Sequence, residues 1–166
     1  MKNNVIKTVA FLGMFTALYV VLAFLIKIPL ISHIQTDLGY IVFGFSCFMF
    51  GWIGFIVGTL GCFIESLVFN GWIPIGWMIG QVVIGIGCGL VYTKCNNKIL
   101  HIIATIGFVF LGIACIKTGI ECILYSIPLA VKMPKNLIAF IADTIPMLAG
   151  LFIGYKLKPR LINEVK

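Results

Sequence analysis

Residues 38–93 read LGYIVFGFSCFMFGWIGFIVGTLGCFIESLVFNGWIPIGWMIGQVVIGIGCGLVYT, a stretch of 56 residues with one charged side chain, Glu65. A helix needs about 20 apolar residues to cross the hydrocarbon core of a bilayer, so this stretch is long enough for three crossings. The segments Gly51–Gly54 and Asn70–Pro74 interrupt it, because glycine, Asn-Gly and proline disfavour helix continuation. The pattern predicts helices over about 38–51, 53–69 and 74–93.

The whole chain has the composition of an integral membrane protein. Of its 166 residues, 61% are apolar and 10% are charged, whereas soluble proteins carry about 25% charged residues. A chain of this size has too little interior to bury so much apolar surface. The composition therefore excludes soluble enzymes, disordered tails and secreted disulfide scaffolds. The length predicts one integral membrane domain over residues 1–166.

Apolar runs on either side of the central stretch predict three more helices, over about 5–27, 99–127 and 136–157. A loop is predicted at 128–134, between two prolines. The fold class expected is an all-α membrane protein with six transmembrane helices and both termini cytoplasmic. Basic residues accumulate on the cytoplasmic side of membrane proteins. This topology places eight of them inside and three outside; the inner set is Lys2, Lys7, Lys94, Lys98, Lys156, Lys158, Arg160 and Lys166, and the outer set is Lys27, Lys132 and Lys135.

Several kinds of chemistry find no support in the sequence. The net charge is +7, but no basic face with interleaved aromatic residues points to nucleic acid. The six cysteines form no Cys-x-x-Cys pair, and His33 and His101 lie far apart, so no metal site is expected. There is no phosphate-binding glycine loop and no nucleophile elbow. We expect a protein that is not an enzyme and holds no cofactor of its own.

Polar residues inside the predicted helices mark the candidate binding site. Ionisable groups in hydrocarbon are costly and usually face a cavity or a partner. The topology places all of those in this chain in the outer half of the membrane, where Asp37 and Tyr40 open the second helix. Trp77 and Tyr125 lie at the same level, where aromatic rings stack on a flat ligand or form the interfacial belt. The predicted substrate-binding residues are Asp37, Tyr40, Glu65, Trp77, Gln81, Lys117, Glu121, Tyr125 and Asp143.

Lys117 and Glu121 are four residues apart and share one helix face. Two interpretations remain open at this point: an internal ion pair that neutralises both groups, or contact of both with a ligand. A pocket rich in acceptor oxygens suits a ligand with several N–H donors, or a cationic one, and suits a dicarboxylate poorly.

Small residues form a stripe on the first helix. Ala10, Gly13 and Ala17 lie on roughly one face. Such stripes let helices approach closely in lipid. The stripe is either an internal contact or a docking surface for another membrane protein.

Three stretches together resemble the substrate-binding S component of an energy-coupling factor (ECF) transporter: residues 10–17, residues 37–44, and residues 50–58 running on to Glu65. The resemblance implies a multi-pass protein of the bacterial cytoplasmic membrane that binds a vitamin from outside. It implies partners as well, namely a transmembrane T protein and two cytoplasmic ATPases that use ATP, docked through Ala10, Gly13 and Ala17. The ligand stays open among folate-like compounds, riboflavin, thiamine-like compounds and queuosine precursors.

Two other functions are compatible with the residues. A small self-sufficient or proton-coupled carrier would use Glu65, Glu121 or Asp143 as its proton site. A ligand-free subunit of a membrane assembly would need none of these groups to bind anything.

Overall fold

A computed structural model describes residues 2–25, 27–31 and 34–164 as a helical bundle with one short strand hairpin. A 3-10 turn, Gly51–Gly54, separates the second helix from the third, and a π-helical segment, Phe110–Lys117, joins the fifth to the sixth. The elements are α1 Lys2–Leu25, β1 Lys27–Ile31, β2 Ile34–Asp37, α2 Gly39–Phe50, α3 Phe55–Asn70, α4 Ile75–Lys94, α5 Lys98–Val109, α6 Thr118–Tyr125 and α7 Leu129–Glu164.

Five segments of the described chain are long and apolar enough to cross a membrane. They are Val5–Phe24, Gly39–Phe69, Ile75–Lys94, Lys98–Tyr125 and Leu129–Leu157. The sequence predicted six helices because it divided residues 39–69 into two, each shorter than a full span of about 20 residues. By length and composition, residues 39–69 count as one candidate membrane span. The count of six transmembrane helices therefore stays a prediction.

The segment Gly39–Phe69 is nevertheless folded back on itself. Gly51 ends α2 with a φ of 66°, a left-handed value that favours glycine. A Cβ placed on Gly54 would lie 2.7 Å from the Cys47 backbone, and one on Gly58 would lie 2.6 Å from the Phe43 ring. Positions later in α3 thus contact positions earlier in α2, which shows that the two helices pack antiparallel.

The helices that follow also alternate in direction. Gly89 packs on Gly51 while Gly85 packs on Phe55, so α4 runs opposite to α3. Lys117 bonds Asn136 while His101 bonds Tyr155, so α7 runs opposite to α5 and α6.

The second and last helices run parallel, because Asp143 contacts Asp37 while Gly154 packs on Phe48 further along both helices. They also touch along their backbones. A Cβ on Gly44 would overlap the Met147 carbonyl oxygen, and one on Gly150 would overlap the Ile41 carbonyl oxygen. Only glycine permits so close an approach.

Two predicted features are wrong: the loop over 128–134 and the end of the first helix at residue 27. A loop was predicted over 128–134, but residues 129–134 belong to α7, which begins at Leu129 rather than near residue 136. Pro128 takes the position before the first turn, and the N–H groups of Val131 and Lys132 bond its carbonyl oxygen; a proline fits there because the first N–H groups of a helix lack intrahelical partners.

The predicted first helix ended at residue 27, but α1 ends at Leu25 and Lys27 begins an antiparallel hairpin in which it pairs with Asp37. Apart from this hairpin, the secondary structure of the described residues is helical, which confirms the all-α class. Residues 1, 26, 32, 33, 165 and 166 lie outside the described residues, as do the side chains of 2–4, 25–36, 70 and 158–164. Predictions that rest on Lys2, His33, Lys158, Arg160 and Lys166 are therefore not addressed by the structure.

The contact between α2 and α7 gives a first prediction. Gly150→Ala should lower the free energy of unfolding by about 1–3 kcal/mol, because the added methyl meets backbone that has no room to move aside. Unfolding in detergent micelles, followed by circular dichroism, measures this. Gly107→Ala is the matched control, since a Cβ there meets nothing within 4 Å, and it should be neutral or stabilising. Equal stability of both variants would contradict the close contact.

Candidate functional site

Polar side chains from most of the helices meet at one end of the bundle, where α1 and α3 finish and α2, α4 and α7 begin. Each buried member of this group has an exposed fraction of 5% or less. They are Tyr40, Gln81, Lys117, Thr118, Glu121, Asn136 and Asp143.

Asn136 is the centre of one half of the site. Its Oδ1 accepts a hydrogen bond of 2.5 Å from Lys117 Nζ. Its Nδ2 donates to Thr118 Oγ1 at 2.8 Å and to Glu121 Oε2 at 3.2 Å. One amide therefore joins three polar groups of the neighbouring helix, and we refer to these four residues as the Asn136 cluster.

Glu121 is shared between two lysines. Lys117 Nζ lies 3.8 Å from Oε1, one turn away on the same helix, and Lys132 Nζ lies 3.2 Å from Oε2. Lys117 Nζ also lies 3.7 Å from the centroid of the Trp77 ring, where the π electrons attract a cation. The ion pair considered from the sequence is present. It leaves two cations for one carboxylate at this position.

The π-helical segment sets the direction in which Lys117 and Thr118 face. Thr118 Oγ1 donates to the Ile113 carbonyl, five residues back, at 3.1 Å. On the α4 side, a Cβ on Gly80 would lie 2.8 Å from the Gly112 carbonyl oxygen. π-helical turns are rare and recur at functional sites. Here the π-helical segment ends at Lys117, which is itself a member of the Asn136 cluster.

Asp37 is the centre of the other half. Its Oδ2 accepts from the Tyr19 hydroxyl at 2.7 Å, and its Oδ1 accepts from the Gly39 N–H at 2.7 Å. Its own N–H donates to Asp143 Oδ1 at 3.5 Å. Burial, followed by the neighbouring carboxyl group of Glu65, raises the pKa of Asp37 to about 7, although the bonds from Tyr19 and Gly39 oppose the shift.

Gln81 lies between the two halves. Its Nε2 donates to the Tyr40 hydroxyl oxygen at 2.8 Å. Its Oε1 is buried and has no hydrogen-bond partner in the described part of the chain. A buried acceptor without a donor costs about 1–3 kcal/mol, so a donor from outside the described residues would stabilise this oxygen.

The structure brings eight of the nine predicted site residues together and leaves one outside. Tyr125 is exposed and packs edge-on against Trp72, with ring centroids 6.1 Å apart. The roles of all nine residues in binding a substrate stay predictions.

The sequence did not single out Tyr19, Thr118, Lys132 or Asn136 as site residues. Asn136 stood at the predicted start of the last helix, over about 136–157, but it lies well inside α7.

The small-residue stripe of α1 faces away from the rest of the protein. Ala10, Gly13 and Ala17 are exposed, and a Cβ on Gly13 would meet nothing within 4 Å. The opposite face is buried through Leu12, Thr16, Tyr19 and Ala23. Of the two interpretations, an internal contact is excluded within the described chain.

Histidine, cysteine and carboxylate side chains do not form a metal site in the described residues. No group of three or more such residues there has the arrangement to hold an ion.

Asp37 gives a prediction about pH. The folded protein keeps the Asp37 proton up to about pH 7, while the unfolded chain releases it near pH 4. The stability linked to this proton is complete below about pH 4 and is lost as the pH rises through 7. The melting temperature of the wild type should fall between pH 5 and pH 8, and Asp37→Asn should reduce that slope. Glu164→Gln, the matched loss of one carboxyl group, should keep it; an unchanged slope in Asp37→Asn would refute the assignment.

Comparison with known proteins agrees with this architecture. A solved structure described as the S component for biotin from an ECF-type ABC transporter superposes with a TM-score of 0.67, covering 96% of this chain and 94% of that chain. The sequence identity is 18%, so this likeness concerns the fold.

Curated relatives match a part of the chain. A UPF0397 protein of Streptococcus thermophilus is 31% identical over 91 residues, which are 54% of this chain and 50% of that protein. A second one, from another strain of the same species, is 30% identical over 93 residues, with 54% and 51% covered. The match thus spans about half the length of these relatives.

A family model covers nearly the whole chain. The family described as ECF-type riboflavin transporter, S component, matches residues 3–162. This confirms the resemblance found in the sequence, and it concerns a family of transporter components rather than of enzymes. The chain belongs to the family of S components of ECF-type riboflavin transporters.

Proposed function

We propose that this S component binds a vitamin-class heterocycle from outside the bacterial cytoplasmic membrane and releases it inward with a T protein and two ATPases. ATP is used by those partners and not by this chain. The observation that carries the proposal is the buried Asn136 cluster together with the unpaired Oε1 of Gln81. Ionisable groups are kept in hydrocarbon where a function needs them.

The proposed topology has six crossings with both termini cytoplasmic. The alternating helix directions support an even number of passages, with α2 and α3 as a hairpin that enters and returns. The eight-to-three distribution of basic residues supports the orientation. In this orientation the Asn136 cluster and Asp37 lie at the outer end of the bundle, where a substrate arrives.

The exposed stripe of α1 is the proposed docking surface for the T protein. Ala10, Gly13 and Ala17 present little side-chain volume, so another helix can approach the α1 backbone closely. No other element of the described residues covers them.

Small molecules released from the purified protein test the binding function. Wild type expressed in rich medium and denatured after purification should yield one heterocycle at about one equivalent by mass spectrometry. Lys117→Ala should lose it, because Asn136 and Glu121 then lack their buried cation partner. Lys94→Ala removes an exposed lysine and should keep the ligand.

An empty but folded wild type would contradict the proposal and favour a ligand-free subunit. Uptake into liposomes that contain this chain alone would favour the self-sufficient carrier.

Docking is tested by Gly13→Leu. The new side chain has open space within this protein, so folding and ligand binding should stay within about twofold of wild type, whereas cellular uptake should fall at least tenfold. Gly107→Leu, which places the same side chain at an open position on α5, is the control and should transport normally. Normal uptake by Gly13→Leu would exclude this stripe as the docking surface.

A further inference from the structure

Two buried side-chain atoms have no hydrogen-bond partner in the described part of the chain: Oε1 of Gln81 on α4 and Oγ1 of Thr59 on α3. The Gln81 side chain is deeply buried, with an exposed fraction of 1%. Buried polar atoms of folded proteins nearly always have a partner, so each exception needs a physical explanation. These two exceptions are explained together by one missing group.

The Thr59 hydroxyl behaves unlike threonine hydroxyls elsewhere in the bundle. Thr16, Thr105 and Thr144 each donate to the carbonyl four residues back in their own helix, at 2.6–2.8 Å. This local bond is the one that a threonine inside a helix usually makes. Thr59 lies inside α3 and does not make it. Its hydroxyl hydrogen is therefore free for a group outside α3.

The packing of α3 on α4 places Thr59 and Gln81 at the same level of the bundle. A Cβ on Gly85 would lie 2.5 Å from the Cα of Phe55, which fixes the register of the two helices. Because the helices run antiparallel, about one turn back along α4 meets about one turn forward along α3. That step leads from Gly85 to Gln81 and from Phe55 to Thr59.

The Gln81 amide has a defined direction at this level. Its Nε2 donates to the Tyr40 hydroxyl oxygen at 2.8 Å. The two ends of an amide point apart, so Oε1 is turned away from Tyr40. An unused acceptor on α4 and an unused donor on α3 thus stand at the same depth, next to the polar end of the bundle.

Resting on the proposed function, we infer that Gln81 and Thr59 determine specificity by recognising a substrate edge on which an N–H group stands beside a carbonyl, as in a lactam or an imide. The N–H donates to Gln81 Oε1, and the carbonyl accepts from the Thr59 hydroxyl. Both bonds are between neutral groups, so the pair adds no charge to the interior of the bundle.

The N–H group is the feature that this pair discriminates. A methyl group on that nitrogen removes the donor, leaves Gln81 Oε1 unpaired and adds volume between α3 and α4. A site built on hydrogen bonds rejects an analogue that lacks the donor far more strongly than an apolar pocket rejects a missing methylene.

Riboflavin and 3-methylriboflavin are the matched probes, because they differ by a methyl group in place of the imide hydrogen. Riboflavin is the vitamin in the description of the family to which this chain belongs. In equilibrium dialysis with wild-type protein in nanodiscs, riboflavin should bind at least tenfold more tightly than 3-methylriboflavin. Gln81→Leu should reduce that ratio below threefold, chiefly by weakening riboflavin, because the acceptor for the N–H is lost.

Thr59→Val is the second variant, and it keeps the test open if Gln81→Leu does not fold. Valine preserves the shape of the side chain and removes the hydroxyl, so riboflavin should bind at least threefold more weakly. Thr93→Val is the matched control. The Thr93 hydroxyl donates to carbonyls of its own helix, those of Gly89 and Leu90, and its loss should leave the affinity for riboflavin within twofold of wild type.

Equal binding of the two probes, unchanged affinity for riboflavin in the folded variants, or binding of neither probe would overturn the inference. The first two results would make an ordered water the partner of both atoms. The proposed function is judged separately: a stoichiometric ligand released from the wild type upholds it even where riboflavin and 3-methylriboflavin are not distinguished.

Discussion

The closest approach in the bundle is the parallel contact of α2 and α7, and the site depends on it. Gly44 and Gly150 remove the side chains that would otherwise hold the two backbones apart. With the helices in this register, Asp143 of α7 reaches the N–H of Asp37, the last residue of β2, two positions before α2 begins. A separation set by larger residues, about 8–10 Å between axes, would move these two groups apart and open the site along its length.

Asn136 has a comparable role on the opposite side of the site. A lysine and a glutamate on one helix pair weakly when water surrounds them. In this protein Lys117 and Glu121 are buried, and their contact is long at 3.8 Å. The Asn136 amide accepts a hydrogen bond from Lys117 and donates one to Glu121, which completes the pair. An amide suits this task because it donates and accepts without adding charge. The contacts within the chain therefore fix the geometry of the cluster, and a site fixed in this way lowers the ordering cost of binding.

Much of the fold and part of the site could be predicted from the sequence. The apolar stretch at 38–93, with Glu65 as its one charged residue, requires a membrane. The spacing of Lys117 and Glu121 places both on one face because a helix repeats every 3.6 residues. The remaining features depend on contacts between distant segments. The π-helical segment forms where Gly80 admits the Gly112 carbonyl, which no local pattern specifies. Asn136 was missed because Pro134 marks a helix start by propensity, whereas Pro128 provides it in the structure.

The π-helical segment has a consequence for how this protein diversifies. One residue more or less in a helix rotates everything after it by about 100°. Loss of a single codon within 110–116 would restore ordinary α geometry and turn Lys117, Thr118 and Glu121 away from Asn136 as a unit, while α5 kept its packing. The chemistry offered to a substrate is thus linked to segment length as well as to residue identity. An insertion or deletion in this segment would therefore change which polar groups meet, although every residue of the Asn136 cluster kept its identity.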